Sequence, residues 1–232
     1  MLALLLAEGL SDAALAAGAY PPGQPGYDIS WPQCGGDYPR LVSGDLAIVG
    51  VTGGRPFTPN PCLREEFAWG ALTGRTPSLY VNIAFGLSTS GPQHCSVDNQ
   101  RCRAYNYGFL AARYAYTYAY ANSLGAAVGA PSWWLDVETA NTWDDDTQLN
   151  SQVVLGALDF FRRLHPGRVG VYSTPRQWSI ITGGLRASGV ANWIPGARGP
   201  NDVIVCLNPL WPGAEVWLIQ YLVGEFDQVS SC

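Results

Sequence analysis

The stretch Trp133-Trp134-Leu135-Asp136-Val137-Glu138 decides how the rest of the chain is read. It is short, rich in aromatic and branched residues, and reads as a buried β-strand. Side chains of an extended chain alternate between two faces, so Asp136 and Glu138, two residues apart, share one face. At the C-terminal end of a parallel barrel strand, that face opens onto the mouth where such barrels carry their sites. An apolar strand ending in two same-facing acids asks for a reason. Catalysis or substrate binding by paired carboxyl groups is one reading, and a divalent cation is a second. Capping of the next helix, or simple exposure to solvent, is the third.

Working outward, short apolar runs recur at residues 27–30, 46–52, 78–84, 169–172, 191–194, 203–206 and 216–221, all read as strands. Between them lie helix-compatible stretches at 60–72 and 149–164. In the latter, Val153, Val154, Leu158, Phe161 and Leu164 keep helical spacing behind the capping residues 144–147. Residues 107–124 give a mixed message. Tyr114, Tyr116, Tyr118 and Tyr120 alternate as in a strand, but the stretch is long, alanine-rich and followed by Gly125, which favours a helix. Strands alternating with helices imply βα units and a parallel sheet. The expected fold is α/β, a single modified (β/α)8 TIM-like barrel with some short or missing helices. An open doubly wound sheet is the competitor, but residues 27–32 hold no glycine for a nucleotide loop.

Composition bounds the function. Of 232 residues only 13% are charged, the formal net charge is −5, and 47% are hydrophobic, enough for a sizeable core and unlike a disordered chain. No basic block is present, so nucleic acid is excluded as a partner. Six cysteines without a CxxC pair fit three disulfides in an oxidising compartment better than a zinc site. Cys95 with Cys102 would close one polar loop, Cys34 with Cys62 would tie two neighbouring loops, and Cys206 with Cys232 would staple the tail. Residues 1–19 resemble a truncated signal or leader segment, although Glu8 and Asp12 interrupt it. Residues 20–25, with three prolines, read as a linker to one domain over residues 26–232. No apolar run is long enough to span a membrane. A secreted or cell-surface monomer without a cofactor is therefore expected.

Glycoside hydrolysis is one chemistry that needs paired acids. One carboxyl group stays protonated to serve the leaving oxygen, while a second stabilises or attacks the developing cation. Asp28, central in the first short strand, would be costly to bury unless it served the mouth. Asp227, after the last expected strand and a turn at Gly224, would approach it, since first and last strands are neighbours in a closed barrel. Aromatic residues near strand ends (Trp31, Trp143, Tyr172, Trp178, Trp193, Trp217, Tyr221) suit sugar stacking and core packing equally. A serine triad is disfavoured by the lack of a Gly-x-Ser-x-Gly elbow. His165 sits before Pro166-Gly167 at a helix end, where a cation would suit the helix dipole.

These pieces, in order and spacing, resemble glycoside hydrolase family 25, the lysozyme-like N-acetylmuramidases. The likeness rests on Gly26-Tyr27-Asp28-Ile29-Ser30-Trp31, Asp136-Val137-Glu138, Val171-Tyr172-Ser173-Thr174, Asn192-Trp193-Ile194, and Trp217-Leu218-Ile219-Gln220-Tyr221 followed by Asp227. The resemblance implies a secreted enzyme cleaving β-1,4 bonds of peptidoglycan, with Glu138 as general acid and Asp136 as the stabilising or orienting carboxylate. It implies that Asp28 and Asp227 line the same cleft, and with Trp31, Asn82, Tyr172, Trp193, Gln220 and Tyr221 they make up the expected glycan-binding set. The third strand departs from the family's aromatic-His-aromatic pattern, reading Tyr80-Val81-Asn82. The alternative is a non-catalytic glycan- or cell-wall-binding module on the same barrel.

Overall fold

The computed structural model describes residues 19–232, so the expected leader over residues 1–19 lies outside the described residues except for Ala19. Eight strands close into one barrel in chain order. They are β1 (Pro25–Ile29), β2 (Leu46–Gly50), β3 (Ser78–Asn82), β4 (Trp133–Asp136), β5 (Val169–Tyr172), β6 (Ala191–Pro195), β7 (Val216–Val223) and β8 (Phe226–Ser231). Neighbours from β1 to β7 run parallel, whereas β8 is antiparallel to both β7 and β1. Helices α1 (Leu63–Ala71), α2 (Gln100–Asn122), α3 (Thr147–Leu164), α4 (Pro175–Thr182) and α5 (Val203–Cys206) follow β2 to β6 in turn. The barrel is thus a modified (β/α)8 type: only a short 3-10 turn follows β1, and a tight hairpin joins β7 to β8.

Two strand expectations are corrected. Residues Val203–Cys206 form one helical turn, not a strand; Val203 and Ile204 are 65% and 69% exposed, so their apolar character reports no buried ladder. The eighth strand is instead residues 226–231, and Asp227 lies within it, not in a loop beyond the last strand.

Strand alternation builds two apolar layers. Outward side chains such as Val49, Leu79, Val81, Trp133, Leu135, Val137 and Val171 pack under the helices. Inward ones, including Ile48, Trp134, Trp193, Leu218 and Val229, fill the lumen. Gly170 faces the Trp134 ring across the β4–β5 pair, and a Cβ there would lie 2.1 Å from that ring, so only glycine admits the indole. Helices α2 and α3 approach equally closely, since a Cβ at Gly156 would lie 2.0 Å from the Tyr105 carbonyl oxygen. The buried alanines of α2 (104, 111, 112, 115 and 119) form its inner face, which explains the small residues between the tyrosines.

The segment expected as a linker is part of the domain. Tyr20 is buried beneath the lumen, its hydroxyl 2.7 Å from Ser78 Oγ and accepting from Trp134 Nε1 at 3.2 Å. Pro25 opens β1, a position where a missing N–H costs the ladder little. The cysteines pair as Cys34–Cys62, Cys95–Cys102 and Cys206–Cys232. Among the described residues, no helix is long and apolar enough to cross a membrane. His165, expected as a cation at the end of α3, is buried against Tyr116 and Trp133, and burial lowers its pKa.

Candidate active site

Register brings the acids together. Across adjacent strands Asn82 lies beside Asp136, Asp136 beside Tyr172, and Tyr172 beside Trp193, giving one belt of inward side chains. Where the barrel closes, Asp28 of β1 is directly opposite Asp227 of β8. Glu138, two residues above Asp136 and past the end of β4, completes the set. Asp28, Tyr80, Asp136, Glu138, Tyr172, Trp193, Gln220 and Asp227 line a single cavity of about 140 Å³.

Hydrogen bonds order the walls. Tyr172 Oη donates to Gln220 Oε1 at 2.6 Å, and Gln220 Nε2 donates to Asp28 Oδ2 at 3.0 Å. On the other side the Asn82 amide nitrogen donates to Asp136 Oδ2. Asn82 Oδ1 accepts from Thr52 Oγ1 at 2.6 Å, and the Thr52 hydroxyl oxygen in turn accepts from the Asn82 backbone N–H at 3.0 Å. Asp136 Oδ1 is buried and has no protein partner among the described residues. The Tyr80, Tyr172 and Trp193 rings line the cavity, with Tyr172 edge-on to Trp193 at 4.6 Å and Trp134 packed against Trp193.

The electrostatics follow from four acids without a cation. Both ion pairs among the described residues, Arg163–Asp159 and Arg198–Asp202, lie elsewhere. Burial, reinforced by Asp227, holds the Asp28 carboxyl well above the usual range. Burial and the neighbouring Glu138 do the same for Asp136. Glu138 is half-buried at the mouth and is also pushed up by burial, as is Asp227. Like charges this close cannot all ionise, so the cluster retains protons at a pH where isolated carboxyl groups have lost them.

Seven of the ten site residues expected from sequence line the cavity: Asp28, Asp136, Glu138, Tyr172, Trp193, Gln220 and Asp227. Three do not. Asn82 stands behind Asp136 and holds it. Tyr221 follows Gln220 in β7 and so turns to the outer face, packing with Ala197 and Ile219. Trp31 lies past β1 on the 3-10 turn, 47% exposed and over Gly54. Tyr80 was missed, although it stands two residues before Asn82 and the alternation that links Asp136 to Glu138 also links it to the lumen.

No family model and no curated protein matches the sequence. Solved structures do. A bacterial lysozyme from Streptomyces coelicolor superposes with a TM-score of 0.55 at 15% identity, over 90% of this chain and 92% of the other. A muramidase from Trichobolus zukalii gives 0.57 at 15% identity, over 90% and 93%. The chain shares their fold. A glycosyl hydrolase 25 of Streptococcus pneumoniae is similar at a TM-score of 0.50 and 15% identity, over 90% and 87%. The chain thus shares one barrel fold with these three structures over nearly their full length, and the fold implied by the sequence motifs is the one observed.

Proposed function

We propose that this protein is an exported glycoside hydrolase that cleaves β-1,4 bonds of bacterial peptidoglycan. One observation carries the reading: four carboxyl groups converge, without a cation, in the mouth of a barrel shared with lysozymes and muramidases. Glu138 suits the general acid because it stands at the open end of the cavity, half-buried, with burial pushing its pKa above the ordinary carboxyl value. It would give that proton to the glycosidic oxygen as the C1–O bond breaks and its electron pair passes to that oxygen. Asp136, deeper and held by Asn82, would face the positive charge developing on the sugar ring. Water would supply the hydroxyl to C1, its proton passing to a carboxylate of the cluster. Asp28 and Asp227 would bind the sugar from the closing strands, with Trp193 and Tyr172 as ring contacts. Three disulfides support an oxidising, extracytoplasmic setting.

Release of reducing ends from purified peptidoglycan tests this. Glu138→Gln should lower turnover by about a hundredfold or more, the range for losing a general acid. Native activity should fall as pH rises through the elevated Glu138 pKa, because the acid form is the working one. A folded native protein that releases nothing but still binds the polymer would be the glycan-binding module instead.

A further inference from the structure

Glu138 has a neighbour outside the carboxyl cluster. Gln177 is half-buried in the first turn of α4, where its backbone N–H donates to the Thr174 side chain at 3.1 Å. A glutamine at this helix position commonly turns back to cap its own helix. Here its side chain crosses to the loop after β4. Gln177 Oε1 accepts from the Thr139 backbone N–H at 2.6 Å and from Thr139 Oγ1 at 2.9 Å. A backbone N–H only donates, so the amide cannot be flipped without placing two donors face to face. Its nitrogen therefore points the other way, 3.5 Å from Glu138 Oε1. The Glu138 main chain is itself pinned, its carbonyl oxygen accepting from Trp143 Nε1 at 2.7 Å and from the Asn141 N–H at 3.1 Å.

We propose that Gln177 is the positioning residue of the general acid: its amide nitrogen engages Glu138 Oε1 and leaves Oε2 as the oxygen that carries the proton to the substrate. The proposal rests on the hydrolase reading for the word acid, and on geometry alone for the contact. A carboxylic acid has one carbonyl oxygen and one hydroxyl, and a donor held against one oxygen makes that oxygen the carbonyl. A separation of 3.5 Å is at the long end for a hydrogen bond, as contacts to catalytic groups often are before substrate binds. The other groups facing Glu138 are Asp136 on β4, Asp227 on β8, Asp28 on β1 and the Tyr172 phenol on β5, none of them a cation. Gln177 and, after it, the Asp136 side chain are the hydrogen-bonding groups that oppose the upward push of burial on Glu138, and Gln177 is the one that lies outside the carboxyl cluster.

The experiment uses the full folded protein with ¹³C-labelled glutamate side chains. The Glu138 carboxyl resonance, assigned by its loss in Glu138→Gln, is titrated in the native protein, in Gln177→Met and in Gln177→Glu. Gln177→Met keeps the length and removes the donor; Gln177→Glu places an acceptor there. Glu138 should ionise at higher pH in Gln177→Met and higher still in Gln177→Glu, with both variants still unfolding cooperatively. On peptidoglycan, kcat should fall about tenfold to a hundredfold with little change in KM, the cost of a misaligned reacting group. A Glu138 titration that moves in neither folded variant overturns the proposal. A responsive Glu138 in a native protein that cleaves nothing counts against the hydrolase reading and leaves the contact standing.

Discussion

Asp136 and Glu138 are legible in the sequence because a strand period of two needs only local residues to be read, and both fall on the face the structure turns inward. Gln177 and Glu66 are not, since their meaning depends on partners from other loops. Glu66, on α1, is fully buried; its Oε2 accepts from Asn60 Nδ2 at 2.6 Å while Oε1 has no partner among the described residues. Burial raises its pKa to about 7 from the usual 4.5. The native state therefore keeps a proton that the unfolded chain gives up above 4.5. The contribution of Glu66 to stability is complete below pH 4.5 and is lost as pH rises to about 7, a change on the order of 3 kcal/mol. Glu66→Gln should flatten urea-unfolding midpoints across this window; midpoints that stay as steep as native would assign the dependence to other groups.

At the scale of elements, the long periodic pieces were readable and the short ones were not. The helix expected over 149–164 is α3, extended two residues into its Asp146 cap, whose side chain accepts from Gln148 N–H at 2.8 Å. Val203–Cys206 misled because a four-residue apolar run has no period to measure. Strand β8 escaped because Asp227, Gln228 and Ser230 give it too little apolar character for a hydrophobic reading, and its identity comes from pairing on both sides. The α2–α3 contact gives a sharper test. Gly156→Val would drive branched carbons into the Tyr105 carbonyl, 2.0 Å from even a bare Cβ, and no rotamer change moves a backbone oxygen. Stability should fall by about 3 kcal/mol or more, beyond ordinary overpacking, in chemical denaturation. A loss under 1 kcal/mol would mean that the helices slide apart freely.

For the whole molecule, the sequence carried the barrel because strand–helix alternation, inward acids and loop-bracketing cysteines agree with one another. It did not carry the direction of the last strand, which only closure determines. The same architecture sets a pH preference. Asp28, Asp136, Glu138 and Asp227 all have pKa values raised by burial, as Glu66 does, so native protein binds more protons than the unfolded chain between the ordinary carboxyl values and the raised ones. Asp159 and Asp202 are shifted the opposite way, but each sits in a surface ion pair of small weight. Unfolding midpoints should be higher at pH 5 than at pH 8. Equal or reversed midpoints would show that the carboxyl cluster is not dehydrated as its geometry requires.

The antiparallel seam between β1 and β8 has a consequence for biosynthesis. Residues 25–28 find their partners only at 227–230, two hundred positions later in translation. Helices α1 to α4 can form as the chain leaves the ribosome, but the edge of β1 must stay unpaired until the last strand emerges. A premature stop before residue 226 would therefore yield an open sheet with two sticky edges and no Asp227, prone to aggregation rather than merely slow as a catalyst. Ribosomal pausing or a chaperone would act on this protein chiefly during that wait, when everything but the seam is made.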